Sequence, residues 1–159
     1  MTTGTGRGWV PQRQLQTLTM GIPLFRAATL LPQTGAATIF NIVGGKVLLT
    51  SFIGECTVLI GAANGSMSFE ETPAAGTMEI IATAVVVNNL PQGDQVGMTG
   101  IDGAALVPAA AGNTPGFTTM GRVLRIGTLD WRLTGNGVGE MSFAITYIPL
   151  DDGAYMTVA

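Results

Sequence analysis

The chain has 159 residues, of which 47% are hydrophobic and only 11% charged, and its net charge at pH 7 is −3. This length suits one domain with a real core, and the shortage of charge leaves much of the surface uncharged. Because histidine is absent and cysteine occurs once, the usual zinc, copper and haem ligand sets and every histidine-dependent catalytic arrangement are excluded.

The first element is an extended N-terminal arm, predicted over residues 1–26, ahead of a single β-rich domain over residues 27–159. The arm contains three of the seven basic residues and no acidic residue. A floppy tail is the alternative for residues 1–8, and a weak helical spacing is confined to residues 12–20. The residues predicted to contact a neighbouring subunit are Trp9, Arg13, Leu15, Leu18, Met20, Phe25 and Arg26.

Nine stretches rich in Val, Ile, Phe and Thr are predicted to be strands. They are residues 36–43, 46–53, 56–61, 66–70, 77–88, 119–126, 128–134, 138–150 and 155–158. The 23 glycines and eight prolines leave no room for long helices. Short strands at this spacing predict an all-β fold, an antiparallel β-sandwich or barrel, with residues 97–121 as a long loop.

Two glycine-rich sites, Gly44-Gly45 and residues 135–137, are predicted to be tight hairpin turns. The strand that follows the second site alternates large apolar residues with small or polar ones, which is the period of a half-buried strand. The large residues, predicted to face the core, are Met141, Phe143, Ile145 and Tyr147.

Few side chains remain as candidates for chemistry. Cys56 lies in an apolar stretch and is predicted to pack in the core. The adjacent acid pairs Glu70-Glu71 and Asp151-Asp152 are predicted to be solvated loop acids, and on a strand the members of each pair would point to opposite faces. No catalytic, cofactor-binding or metal-binding residue is therefore assigned, and the protein is not expected to be an enzyme.

Charge is divided unevenly along the chain. Residues 1–54 carry a charge of +4 without one acid, whereas residues 55–159 carry −7. Four scattered cations do not form the clustered basic surface that nucleic acid requires, and no apolar run approaches the twenty residues of a membrane span. The N-terminus lacks the apolar core of a secretory signal, so the chain is expected to be made and kept in a cytoplasm-like compartment.

The stretch LPQTGAATIFNIVGGKVLLTSFIGECT, together with the C-terminal VGEMSFAITYIPLDDG, resembles small structural proteins of tailed bacteriophages. The first part of the likeness covers roughly residues 30–57. Within that group, the size, the Gly-, Thr- and Ala-rich composition and the lack of histidine resemble capsid decoration (cement) proteins most. The resemblance implies a virion protein on the outer surface of the capsid, bound to the major capsid protein and to copies of itself, with a trimer favoured.

Two other functions stay open. A phage tail or head-fibre component would also be β-rich and oligomeric, but no repeats or coiled-coil stalk are visible. A ligand- or glycan-binding β-domain would need several exposed aromatic side chains, and aromatic residues make up only 6% of the chain.

Overall fold

The computed structural model describes residues 21–61, 65–99, 101, 103–109, 121–136 and 138–159. Within these ranges the chain forms eleven strands and no helix. The strands are β1 (Ile22–Leu30), β2 (Gln33–Val43), β3 (Val47–Val58), β4 (Ser66–Pro73), β5 (Glu79–Val86), β6 (Gln95–Gly97), β7 (Val107–Ala109), β8 (Arg122–Leu124), β9 (Gly127–Asn136), β10 (Glu140–Pro149) and β11 (Tyr155–Val158).

The strands form two antiparallel sheets that pack as a sandwich, which confirms the predicted fold class. Sheet A has the order β1-β10-β3-β6-β7, and β8 also pairs with β3; sheet B has the order β11-β2-β9-β4-β5. The eight strands β1–β5 and β8–β10 therefore give the orders β1-β10-β3-β8 and β2-β9-β4-β5, which is the arrangement of a jelly roll. The β6-β7 hairpin is an insertion between β5 and β8, and β11 extends the edge of β2.

The core between the sheets is centred on four aromatic side chains, two from each sheet. Phe52 and Phe143 of sheet A meet Phe69 and Trp131 of sheet B, with ring centroids 4.5 Å apart for Phe52–Phe69 and 4.9 Å for Trp131–Phe143. The inward face of β10 is the predicted one, since Met141, Phe143, Ile145 and Tyr147 are all at most 4% exposed. The predicted register of this strand is confirmed.

Both predicted hairpin turns are wrong, because each joins strands of different sheets. The Gly44-Gly45 turn leads from β2 in sheet B to β3 in sheet A, and the turn after β9 leads from sheet B to β10 in sheet A. Gly44 does have the positive φ, 77°, that a tight turn needs, and a Cβ there would collide with the carbonyl of Gly153. The glycine thus indicates a tight turn, but not whether the chain stays in one layer or crosses to the other.

Two predicted strands, residues 46–53 and 56–61, belong to the single strand β3 up to Val58. Gly54 lies within it and does not end it. A Cβ on Gly54 would lie 2.9 Å from Val96 Cγ2 and 3.0 Å from both Met141 Cε and Phe143 Cε1. Glycine at this position serves the packing of the core.

The strand β1 lies partly in the region assigned to the arm. Residues 22–26 pair with β10, and Ile22 and Leu24 pack against the core. The predicted boundary at residue 26 therefore falls inside a strand.

In the predicted loop 97–121, β7 pairs with β6, whereas residues 110–120 lie outside the described part of the chain.

No helix among the described residues has the length and apolar character that crossing a membrane requires.

Candidate assembly surface

The single cysteine is a core residue, as predicted. Cys56 is 0% exposed, and its Sγ donates to the carbonyl oxygens of Val58 and Leu90 at 3.2 and 3.3 Å. Burial raises the pKa of the thiol. The thiolate, which is the reactive form, is therefore disfavoured in the folded protein.

We expect native Cys56 to resist alkylation. Iodoacetamide at pH 8 should label the folded protein at least about tenfold more slowly than the guanidinium-unfolded chain, because a buried thiol reacts only after local opening. Intact-mass spectrometry over time measures both rates. Equal rates would contradict the burial of this side chain.

Glu70 and Glu71 are not solvated loop acids; that prediction is wrong. Both lie in β4 and are 1% exposed. They do point to opposite faces of the strand, as expected on a strand, since Glu70 lies opposite Asp130 on the outer side and Glu71 lies opposite the core residue Leu129. By contrast, Asp151 and Asp152 are exposed, as predicted.

On the outer face of sheet B, Glu70 is bound by Arg132 of the neighbouring strand. The Nε and Nη2 atoms of Arg132 donate to the Glu70 carboxylate at 3.0 to 3.2 Å, which raises the pKa of Arg132. The hydroxyls of Thr72 and Thr128 donate to Asp130 Oδ2 at 2.6 and 2.9 Å. These bonds hold two adjacent carboxylates in place between β4 and β9.

Glu71 closes one end of the sandwich by binding the segment around β8. The backbone N–H of Arg125 donates to Glu71 Oε1 at 2.6 Å, and Arg125 Nε donates to the same oxygen at 3.2 Å. Glu79 bridges Arg122 and Arg125 with N–O distances of 2.9 Å. All three arginines of the acidic part of the chain therefore pair with acids of the same chain.

The described residues contain no group of three or more acidic or cysteine side chains that could hold a metal ion.

The candidate assembly surface is the outer face of sheet A. Residues that pair across β1, β10, β3 and β6 share a face, and they form four rows along the sheet. The rows, from one end to the other, are Pro23, Thr146 and Ser51; Phe25, Ala144, Ile53 and Gly97; Ser142, Glu55 and Gln95; and Leu30, Glu140 and Val58. We call these rows the A face.

Two rows of the A face contain only apolar or small uncharged residues, and each of the other two rows contains one glutamate. Phe25 and Leu30 are 62% and 67% exposed, although both are large apolar side chains. Glu55 and Glu140 lie at the far end, and the four rows contain no basic residue. Such a surface suits a partner that brings apolar side chains and positive charge.

The sheets end in edge strands on two opposite sides of the sandwich. On the β5 side, Thr83 donates its N–H to Ala104 O at 2.9 Å and accepts from Leu106 N at 3.2 Å, which joins the two sheets. On the opposite side, β1 and β11 are the edge strands. The strand β11 has no charged residue, and charge is a common means by which proteins protect an edge from pairing with another chain.

The structure describes two of the predicted contact residues, and they point to opposite sides of β1. Phe25 lies on the A face, whereas Arg26 lies opposite Phe143 and donates from Nη1 to Thr38 O at 2.6 Å. Burial lowers the pKa of Arg26. The other five, Trp9, Arg13, Leu15, Leu18 and Met20, lie outside the described residues.

Sequence reasoning missed most of the A face, including Leu30, Ile53 and Val58. A signal existed in β10, where Ala144 and Thr146 alternate with the core residues and so mark an outward face of small side chains. The residues that β1 and β3 add to this face follow only from the pairing of the strands.

Comparison of the chain with protein-family models, with curated proteins and with solved structures found no match.

Proposed function

We propose that the protein is a non-enzymatic structural protein of a virion, a decoration (cement) protein on the outer surface of a phage capsid. Its partners are copies of itself, with a trimer favoured, and the major capsid protein. The observation that carries the proposal is the exposure of fifteen large hydrophobic side chains among the described residues. A protein of this kind gains stability by burying such surface against neighbours.

The architecture agrees with this proposal by analogy. Jelly rolls occur in many viral capsid proteins but also in lectins and enzymes, so the fold alone does not decide the function. The A face and the unprotected edge at β11 favour lateral contacts between proteins. Among the described residues, Phe25 and Tyr155 are the exposed aromatic side chains, which gives little support to a glycan-binding platform.

We expect the purified full-length protein to sediment at micromolar concentration as an oligomer, about three times the chain mass of 16.4 kDa. It should also bind shells assembled from the major capsid protein of the same genome. Phe25→Ser removes an exposed apolar side chain of the A face and should weaken one or both associations. Val86→Thr is the matched control, because Val86 is 64% exposed on the far edge of sheet B.

A monodisperse 16.4 kDa monomer that also fails to bind the shells would refute the proposal. Binding to purified tails but not to shells would assign the protein to the tail instead.

A further inference from the structure

Among the described strands, β11 is the one edge that lacks the features protecting the other edges from pairing with a second chain. The edge strand β1 contains Pro23, Arg26 and a register shift after Arg26. The middle of β5 is covered through the two hydrogen bonds of Thr83. The strands β7 and β8 have three residues each and contain Pro108 and Arg122. The strand β11 has no proline, charge or register shift, and its residues are Tyr155, Met156, Thr157 and Val158.

Half of the backbone hydrogen-bonding groups of β11 point away from its own sheet. The N–H of Ala159 donates to Ile39 O at 3.2 Å, so Thr157, two residues earlier, also exchanges hydrogen bonds with β2. Because the two sides of a strand alternate, the N–H and C=O groups of Met156 and Val158 point to the open edge. These two donors and two acceptors are what an added strand needs.

A strand that pairs with this edge must itself have an unprotected edge. Within the part of the chain that the structure describes, the edge that meets this requirement is β11 itself, in a second copy. Two identical edges pair antiparallel about a two-fold axis, which is an isologous contact. A trimer contact around a three-fold axis would instead need two different complementary edges.

The outward groups of β11 also select a register. Pairing Met156 of one copy with Val158 of the other joins all of these groups to one another in four hydrogen bonds, and it sets Thr157 opposite itself on the axis. An axis at Met156 would set Val158 against Ala154, whose N–H already donates to Asp151 O at 3.1 Å. The carbonyl of Val158 would then have no donor.

The side chains of β11 fit the same register. Met156 and Val158 lie opposite the core residues Ile42 and Phe40, so both are on the inner face of sheet B. Met156 is 4% exposed, whereas Val158 is 41% exposed. In the paired edge, the exposed Val158 of each copy would lie beside Met156 of the other and lose apolar surface to it.

We propose that two copies of this chain join through β11, antiparallel about a two-fold axis, with Met156 opposite Val158 and Thr157 opposite Thr157. Sheet B then continues from one copy into the next as a single sheet. The contact goes beyond the proposed function, because it lies at the edge of sheet B and is separate from the A face. It links two single chains or, if the A face holds trimers together, two trimers.

The test is the full-length variant Thr157→Cys, oxidised with glutathione disulfide at micromolar concentration. A non-hydrogen-bonded antiparallel pair has its Cα atoms about 4.5 Å apart, which is within the range of a disulfide. Native Cys56 is buried and does not compete. We expect a disulfide-linked dimer as the main product, measured by intact-mass spectrometry without reductant.

The matched control is Tyr155→Cys, on the same strand and the same face, where the native side chain is 47% exposed. In the proposed register the two copies of residue 155 are offset by four residues, about 13 Å, and a disulfide spans at most about 7 Å between Cα atoms. We therefore expect at least about tenfold less dimer from this variant.

A second variant, Val158→Pro added to Thr157→Cys, tests the backbone hydrogen bonds. The Val158 N–H points away from β2, so proline removes a donor of the open edge and no bond within the sheet. We expect an unchanged far-UV circular dichroism spectrum and at least about a tenfold fall in dimer yield, since two of the four hydrogen bonds are lost.

Three outcomes would overturn the pairing of β11. They are a Thr157→Cys protein that remains monomeric or carries only glutathione, equal dimer yields from Thr157→Cys and Tyr155→Cys, and a dimer yield that Val158→Pro leaves unchanged. Sedimentation and shell binding of the unmodified protein test the proposed function separately. A trimer that binds shells but gives no disulfide would refute the pairing alone, and a disulfide-linked dimer that binds no shells would support the pairing alone.

Discussion

Replacing Phe143 with Asp is expected to prevent folding. Phe143 is 0% exposed and packs against Phe52 and Trp131, so it joins the two sheets at the centre of the core. The substitution removes an aromatic side chain, which costs about 3–5 kcal/mol, and buries a carboxylate without a partner, which costs several more. Together these costs approach the whole stability of a typical domain, about 5–15 kcal/mol.

The matched control is Ala144→Asp, on the next residue of the same strand. Ala144 is exposed on the A face, so the added carboxylate stays in water and the fold should survive. Ser142 is a poorer control, since it is only 8% exposed and lies opposite Glu55. Circular dichroism and soluble yield distinguish the variants, and equal tolerance of both would show that the two faces of β10 had been assigned the wrong way round.

The inward face of β10 could be predicted because it depends on local alternation alone. A half-buried strand repeats every two residues, and the alternation is unbroken from Glu140 to Tyr147. The layer to which a strand belongs depends instead on distant partners. Neither the Gly44-Gly45 turn nor the turn before β10 contains that information, so two crossings between sheets were predicted as hairpins.

The burial of Glu71 in β4 could be predicted from local alternation, but its partner could not, because that partner is distant in sequence. Met67 and Phe69 face inward, and continuing their alternation by one step places Glu71 in the core. The prediction ended this strand at Glu70 and therefore left Glu71 in a loop. The arginine that binds Glu71 most closely is 54 residues away in sequence, and only the folded topology brings the two together.

The candidate surface was predictable only in part. Phe25 was singled out from the sequence, and it lies on the A face. The remaining members of that face come from four strands that are distant in sequence, and their assembly into one surface requires the strand order β1-β10-β3-β6. Local patterns identify outward-facing residues, whereas neighbours across a sheet follow from long-range pairing.

Replacing Glu71 with Ala is expected to destabilise the protein strongly, by about 2–4 kcal/mol, because it removes a buried acceptor that binds both the backbone N–H and the guanidinium of Arg125. The Glu71 side chain is 1% exposed and accepts the backbone N–H of Arg125 at 2.6 Å. Its loss also frees the segment around β8 from β4. Urea unfolding followed by circular dichroism measures the change, with the midpoint compared at equal slope.

Two further variants separate the effect of the buried hydrogen bond from the effect of the ion pairs. Glu79→Ala removes a carboxylate that contacts the same arginines but is 47% exposed, and exposed ion pairs contribute at most about 1 kcal/mol, so it should change stability little. Glu71→Gln keeps an oxygen for the Arg125 N–H and removes only the charge, so it should fall between the other two. If Glu71→Ala proved no more harmful than Glu79→Ala, Glu71 would not hold this end of the sandwich closed, and the pairing of β8 with β3 and the bond from Ala74 N to Ile126 O would be enough to do so.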